Sequence, residues 1–206
     1  MRWFGSLALA GLCIAIAQTR AADDEKKSFL DAGAWEGLVK EYWKAEGDTV
    51  VGSSLGGEGL KFNTFLCSKK PYKDFEMSFK VRLKDGIGNS GIQIRSKVHD
   101  MKKFAVSGPQ CDIGKNYWGS LYGENFGGMM KAAPADKVNA KLGEKDFNDY
   151  AIKCVGKKVT ITVNGVVAVD EEFPKLPEEG IIAFQMHAGP PMEVTFKDIK
   201  FTDLSK

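Results

Sequence analysis

The chain has 206 residues, of which 43% are hydrophobic, enough to form one domain with a full core and too many for a disordered chain. Its 29 Lys and Arg residues nearly balance 27 Asp and Glu residues, so the net charge of +2 provides no basic surface for DNA or RNA. The 23 glycines against 7 prolines favour a fold with many tight turns, and hence an all-β protein over a helical bundle.

Residues 1–22 have the pattern of a secretory signal peptide. Arg2 precedes an uncharged apolar run over 3–17, and cleavage is expected at the small residues Ala21 or Ala22. The run is shorter than the roughly 20 residues that span a bilayer, so removal is favoured over a retained membrane anchor. We therefore expect a secreted or periplasmic protein, with residues 23–27 as a charged leader and a single domain over 28–206.

Alternating apolar and polar residues predict β-strands with one buried face along most of the mature chain. The clearest strand covers 74–83, and the Asn164-Gly165 pair predicts a tight hairpin between 159–163 and 166–169. One short helix over 135–142 and a long irregular region over 126–147 are also expected. Further strands are predicted at 48–52, 59–67, 90–96, 104–112, 117–124, 149–155, 180–188 and 192–202. The pattern predicts a two-sheet antiparallel sandwich.

Three cysteines remain after signal removal, namely Cys67, Cys111 and Cys154. They are far apart and form no CxxC pair, so a zinc cluster is not expected. The alternation around Cys154 favours a buried free thiol, although one disulfide among the three cysteines remains an alternative in an oxidising compartment.

Four predicted strands carry pairs of large hydrogen-bonding side chains two residues apart, which places each pair on one face. The pairs are Gln93 with Arg95, Gln110 with Asp112, Tyr122 with Glu124, and Gln185 with His187. If these strands are neighbours in one curved sheet, the pairs line a single polar groove. This hypothesis requires the His187 imidazole and the Arg95 guanidinium to open onto the same side of the molecule. Trp118 and Tyr122 would stack on a sugar ring in such a groove.

Each of these residues also has a structural interpretation. His187 could be structural, Arg95 could form an ion pair with Asp112, and Trp118 and Tyr122 could belong to the core. His99 lies in a charged loop and is expected on the surface. The chain has no phosphate-binding loop, HExxH motif, GxSxG elbow or calcium loop.

Four runs closely resemble, in order, the 3-keto-disaccharide hydrolase domain family. They are NSGIQIR at 89–95, GPQCDIG at 108–114, YWGSLYGE at 117–124, and residues 180–199. The similarity extends from about Ser28 to Asp203, with a departure at Pro109, where the family usually has an aromatic residue. The resemblance implies a concanavalin A-like, lectin-like jelly roll that is secreted or periplasmic in bacteria and acts on sugars whose C3 hydroxyl has been oxidised to a ketone.

The implied function is hydrolysis of the glycosidic bond in 3-keto-glycosides or 3-keto-disaccharides by elimination and hydration. A base removes the C2 proton, donors hold the enolate oxygen, and an acid protonates the leaving oxygen. As a hypothesis, His187 is base or acid, Arg95 with Gln110 or Gln185 holds the enolate, and Asp112 and Glu124 are acid, base or ligands of a divalent cation. Calcium or magnesium would suit such ligands, but the need for a metal stays open. Substrate-binding residues would be Gln93, Gln110, Trp118, Tyr122 and Gln185.

Two other functions remain as alternatives. A non-catalytic, lectin-like carbohydrate-binding module would hold an unoxidised oligosaccharide and release nothing. An ordinary glycosidase would need two carboxylates, for which Asp112 and Glu124 are available, although the 110–114 run lacks the outer acids of an ExDxE strand. The 3-keto activity would depend on an upstream sugar 3-dehydrogenase to make the ketone.

Overall fold

The computed structural model describes residue 29 and residues 31–205. The predicted signal peptide and charged leader therefore lie outside the described residues. No helix within 31–205 is long and apolar enough to cross a membrane.

The regular secondary structure within residues 31–205 is mostly β-strand. In this range an α-helix, α1, covers Ala135–Asn139, and 3-10 turns cover Ala32–Ala34 and Lys84–Gly86. The strands are β1 (Trp35–Glu36), β2 (Trp43–Glu46), β3 (Thr49–Ser53), β4 (Thr64–Ser68), β5 (Phe75–Leu83), β6 (Asn89–Asp100), β7 (Ala105–Gly114), β8 (Leu121–Glu124), β9 (Gly128–Lys131), β10 (Asn148–Val155), β11 (Lys158–Val163), β12 (Val166–Glu172), β13 (Ile181–Met186) and β14 (Glu193–Asp203).

These strands form two seven-stranded antiparallel sheets. The front sheet has the order β1-β4-β13-β6-β7-β8-β9, and the back sheet has the order β12-β11-β10-β5-β14-β3-β2. Strands that are far apart in the chain are neighbours in the sheets. For example, β13 pairs with β4 on one side and with β6 on the other. The prediction of an all-β, two-sheet antiparallel jelly-roll sandwich is confirmed.

The inward faces of the two sheets share one hydrophobic core. In β5 the buried and less buried residues alternate along the strand, as the sequence predicted. Phe184 of the front sheet contacts Phe196 of the back sheet with ring centroids 4.8 Å apart. Cys67, Cys111 and Cys154 are buried free thiols, in agreement with the sequence interpretation.

Some of the turns and strands predicted from the sequence are confirmed, and others have different bounds in the structure. The Asn164-Gly165 hairpin is confirmed, since both residues have positive φ and connect β11 to β12. The strand predicted over 117–124 begins only at Leu121, because residues 115–119 form a turn. The region 126–147 is less irregular than expected, since it contains β9 and α1. The short strands β1 and β2 were not predicted.

Candidate functional site

The four strands predicted to share a groove are direct neighbours in the front sheet, in the order β13-β6-β7-β8. The register places Gln93 opposite Gln110, and Gln110 opposite Tyr122. Ile92 and Cys111 belong to the core between the sheets, so the alternating polar residues point to the outer face of the front sheet.

A cavity of about 330 Å³ opens on this face. Its size lies within the range of about 300–1,000 Å³ that is usual for small-molecule sites. The cavity is lined by Asn63, Asn89, Gln110, Asp112, Tyr117, Tyr122, Glu124 and His187. The structure therefore brings together five of the residues selected from the sequence: Gln110, Asp112, Tyr122, Glu124 and His187.

Asp112 is a buried carboxyl group in the wall of the cavity. Asp112 is only 5% exposed, and its Oδ1 accepts a hydrogen bond of 2.6 Å from Gln110 Nε2. Burial raises the pKa of Asp112 to about 7; the bond from Gln110 opposes this rise, and the negative charge of Glu124 adds to it. A carboxyl group with a pKa near neutrality can both accept and donate a proton at physiological pH.

Glu124 lies on β8 and His187 directly follows β13, so the two residues reach the cavity from opposite ends of the group β13-β6-β7-β8. Asn63 connects Glu124 to Ala188, the residue after His187. Asn63 Nδ2 donates to Glu124 Oε1 at 3.2 Å, and Asn63 Oδ1 accepts from the backbone N–H of Ala188 at 2.8 Å. The Nδ1 atom of His187 lies 2.7 Å from Ala188 O. If Nδ1 carries the proton and donates it to this carbonyl, Nε2 is left as an acceptor.

Two tyrosines provide aromatic surface at the cavity. Tyr117 is 47% exposed and Tyr122 is half-buried, so both offer ring faces to a ligand. Trp118 does not, because it is 7% exposed and belongs to the core cluster. Its assignment as a substrate-binding residue was wrong, because the turn at 115–119 breaks the strand alternation on which the assignment depended.

Arg95 does not lie in the cavity, which contradicts the groove predicted from the sequence. It is 1% exposed, and its guanidinium is surrounded by partners of its own. It donates to Lys73 O at 2.5 Å, Gly156 O at 2.6 Å, Pro177 O at 2.9 Å and Asp74 Oδ1 at 2.8 Å. The expected shared opening with His187 is therefore wrong, as is the alternative ion pair with Asp112. Any mechanism that places Arg95 on the enolate has to be abandoned.

The cause is a β-bulge in β6. Between Gln93 and Lys97 the strand advances four residues while β7 advances three, from Gln110 to Ser107. Arg95 itself has a φ of 44°. An extra residue reverses the alternation of side chains beyond it, so Arg95 and Gln93 do not share a face.

Gln93 and Gln185 are both fully buried and do not line the cavity. Gln93 Nε2 donates to Gln110 Oε1 at 2.7 Å, so Gln93 lies behind the cavity wall. The register places Gln185 opposite Gly91, which is opposite Asp112. Neither amide atom of Gln185 has a hydrogen-bond partner in the described structure. Direct substrate contact by these two residues is not supported by their positions.

Three residues that line the cavity were missed by sequence reasoning: Asn63, Asn89 and Tyr117. Asn63 lies just before β4 and Tyr117 lies in a turn, although the sequence analysis put both within predicted strands. Asn89 begins β6. Asn89 and Tyr117 both belong to runs that resemble the family, and this was the signal that could have identified them.

Within 31–205, no group of three or more His, Cys, Asp or Glu residues is close enough to hold a metal ion, so no site for the divalent cation is identified.

A larger depression of about 570 Å³ lies on the outer face of the back sheet. Its Lys80 and Asp149 pair with each other at 2.6 Å on open surface, whereas the front cavity holds a buried carboxyl, so we take the front cavity as the site.

The family model described as "3-keto-alpha-glucoside-1,2-lyase-like domain" matches residues 24–202. A comparison with curated protein sequences gave no match.

Solved structures with a similar fold include proteins of different descriptions. A proposed glycosyl hydrolase from Parabacteroides distasonis ATCC 8503 has 20% identity and a TM-score of 0.56, over 82% of this chain and 99% of that one. The carbohydrate-binding module CBM66 from Bacillus subtilis has 16% identity and a TM-score of 0.58, over 82% and 94%. A Bacillus subtilis protein of unknown function with a galectin-like fold has 11% identity and a TM-score of 0.54, over 82% and 88%. These similarities establish a lectin-like jelly-roll fold.

Proposed function

Because the chain belongs to the 3-keto-alpha-glucoside-1,2-lyase-like domain family, we propose that its front cavity cleaves the glycosidic bond of 3-keto-glycosides by elimination, followed by addition of water. The observation that carries this proposal is the buried Asp112 carboxyl, whose pKa of about 7 suits a group that exchanges protons, in one cavity with Glu124 and His187.

The reaction needs a proton to leave C2 of the sugar. A C3 ketone acidifies this proton, so the ionised Asp112 can take it and leave an enolate. The electron pair of the enolate then forms the C1–C2 double bond while the C1–oxygen bond breaks. The leaving oxygen takes a proton, for which the proposed donor is Nε2 of a doubly protonated His187, whose Nδ1–H donates to Ala188 O. Water then adds at C1 and gives one proton back to His187 Nε2, C2 regains a proton from Asp112, and the net reaction is hydrolysis.

The developing enolate charge needs neutral or positive hydrogen-bond donors. Arg95 is excluded by its position, and the Asn63 and Gln110 amides already donate to Glu124 and Asp112. We therefore propose the Asn89 amide and the Tyr122 hydroxyl, which both line the cavity, as donors to the enolate. Tyr117 supplies an exposed ring on which the sugar can stack. The ketone itself must come from a sugar 3-dehydrogenase, and we propose that both reactions take place outside the cytoplasm, since residues 1–22 have the pattern of an export signal.

A non-catalytic carbohydrate-binding function is the second candidate. The similarity in fold to CBM66, with a TM-score of 0.58, is comparable to that to the proposed glycosyl hydrolase, and fold alone does not distinguish the two. In this function the tyrosines would hold an unoxidised sugar and the carboxyls would accept hydrogen bonds from its hydroxyls.

The test is incubation of the purified mature protein with 3-keto-trehalose, 3-keto-lactose and their parent sugars in D₂O, with and without a chelator. We expect release of the aglycone from the keto sugars alone, with early incorporation of deuterium at C2. Cleavage of the parent sugars would instead support a two-carboxylate glycosidase, and binding of the parent sugars without release would support a binding module. Loss of activity with the chelator would establish a requirement for a divalent cation.

The two histidines at 99 and 187 provide a matched pair of variants. His187→Ala should abolish turnover without lowering the melting temperature, because His187 is exposed at the cavity. His99→Ala should retain full activity, because His99 is an exposed residue outside the cavity. Equal activity in the two variants would exclude His187 from the reaction.

A further inference from the structure

Behind Asp112, a row of buried polar side chains runs away from the cavity. Gln110 Nε2 donates to Asp112 Oδ1 at 2.6 Å, Gln93 Nε2 donates to Gln110 Oε1 at 2.7 Å, and Ser96 Oγ donates to Gln93 Oε1 at 2.7 Å. Gln93 and Ser96 are fully buried and do not line the cavity. The carboxyl group is thus connected, through two amides, to a hydroxyl that the substrate does not reach.

The fold makes room for this row at two glycines. A Cβ at position 91 would lie 2.7 Å from the Gln110 side chain, and a Cβ at position 108 would lie 2.2 Å from Ser96 Oγ. The bulge that turns Arg95 away also brings Ser96 to the side of Gln93, although the two residues are three positions apart. The row therefore depends on the irregular part of β6.

The surroundings of the Gln93 amide favour a second, reversed orientation, because in the first its oxygen faces the carbonyl oxygens of Pro109 and Gly108. When it is reversed, its nitrogen lies 2.7 Å from Ser96 Oγ, 3.1 Å from Pro109 O and 3.3 Å from Gly108 O, while its oxygen faces Gln110 at 2.7 Å. That last contact is favourable only if the Gln110 amide reverses too, so that its nitrogen becomes the donor.

Reversal of Gln110 has a direct consequence for the carboxyl group. The Gln110 oxygen would then face Asp112 Oδ1 at the 2.6 Å contact, and two acceptors at this distance need a proton between them. The first orientation of the row therefore suits the ionised carboxylate, and the reversed orientation suits the protonated carboxyl. The two orientations are not equally satisfied, because in the first the Gln93 oxygen lies 3.1 Å from Pro109 O and 3.3 Å from Gly108 O, and only a donor would satisfy these contacts. The charge of the ionised carboxylate therefore has to offset this cost when the row takes the first orientation.

We propose that Gln110, Gln93 and Ser96 form a reversible hydrogen-bond relay that reverses together with the protonation of Asp112. They are positioning residues, since Gln93 and Ser96 act on the carboxyl only through Gln110. No proton travels along the row: the proton stays on Asp112 and the amides turn. This inference deepens the proposed function, on which its catalytic meaning rests, because the same carboxyl has to take a proton from C2 and return it.

Other titratable groups also face Asp112. Glu124, His187, Tyr117 and Tyr122 line the same cavity, and the Tyr150 hydroxyl donates to the backbone oxygen of Asp112 at 3.1 Å. The negative charge of Glu124 adds to the rise in the pKa of Asp112, but none of these groups accounts for two matched orientations of the buried amides.

The first test uses the unmodified protein and needs no substrate, so it is independent of the proposed function. The carboxyl carbon of Asp112 and the side-chain NH₂ signals of Gln93 and Gln110 are followed by NMR from about pH 4 to about pH 9. We expect all three to change with one midpoint, although Gln93 does not contact the carboxyl. A flat Gln93 signal while Asp112 titrates, or no titration of Asp112 in this range, would overturn the proposal.

The second test compares two buried serines of β6. Ser96→Ala removes the donor to Gln93 Oε1 in the first orientation, whereas the reversed orientation keeps Pro109 O and Gly108 O as acceptors. We therefore expect the midpoint of Asp112 to rise by roughly half to one pH unit.

Ser90→Ala is the control, because it also removes a buried hydroxyl, whose bond of 2.6 Å goes to the backbone oxygen of Gln185. It should leave the midpoint of Asp112 unchanged. Equal midpoints in both variants would refute the relay, even if both lose stability.

Discussion

Replacement of Asp112 by Asn should make the protein more stable at neutral and alkaline pH while removing its activity. Burial raises the pKa of this carboxyl from its ordinary value of 3.8 to about 7. Between these values the unfolded chain has lost the proton and the folded protein still holds it, so stability falls as the pH rises through this window and stays low above it. At ~1.4 kcal/mol per pH unit, the loss reaches about 4 kcal/mol. The Asn variant cannot ionise, and its Oδ1 can still accept the bond from Gln110.

The measurement is urea unfolding of both proteins at intervals from about pH 4.5 to about pH 8.5. The stability difference in favour of Asp112→Asn should grow with pH and become constant above pH 7. Asp149→Asn is the control, because Asp149 is an exposed carboxyl on the back sheet and its replacement should give no such growth. A difference that does not change with pH would refute the reasoning that Asp112 is destabilised by burial of its charge.

Three other replacements test the remaining assignments. Arg95→Met should lower the free energy of unfolding in urea by about 3–5 kcal/mol, because it leaves Asp74 and three carbonyls without their donor. The kcat/KM of the folded protein should not change, and a selective loss of kcat/KM would show that Arg95 belongs to the site. Glu124→Gln should lower the pKa of Asp112 and move the acidic limb of the kcat/KM profile to lower pH, and a move to higher pH would contradict the repulsion between the two carboxyls. Tyr117→Ala should raise KM severalfold with little change in melting temperature, since the ring is 47% exposed, and an unchanged KM would exclude stacking on Tyr117.

Regular strand patterns made the sheet and much of the site predictable from the sequence. Gln110 with Asp112 and Tyr122 with Glu124 lie on strands that keep their alternation, so each pair reaches the same cavity. The sequence analysis assumed that these strands are neighbours in one sheet, and the strand order confirms that they are.

The errors arise where the backbone departs from a regular strand. The position of Arg95 depends on one extra residue in β6, and the sequence gives no signal for a bulge there, because Arg95 is not a residue that usually adopts positive φ. Trp118 and Tyr117 exchange roles because the segment before Leu121 is a turn, with Asn116 and Gly119 at positive φ. In a turn, the face that a side chain occupies cannot be read from residue spacing.

The energetics of Asp112 also bear on the choice between an enzyme and a binding module. A module that only holds sugar hydroxyls can use exposed or neutral acceptors, such as the Asn63 and Asn89 amides that already line the cavity. A buried carboxyl with a raised pKa destabilises the fold by about 4 kcal/mol at neutral pH and gives no advantage to a passive hydrogen bond. The raised pKa therefore supports the proposed proton transfer over passive binding, because both protonation states of such a group are populated near pH 7. If Asp112→Asn proves more stable and also binds parent sugars as well as the unmodified protein does, the buried charge has a purpose that binding does not explain.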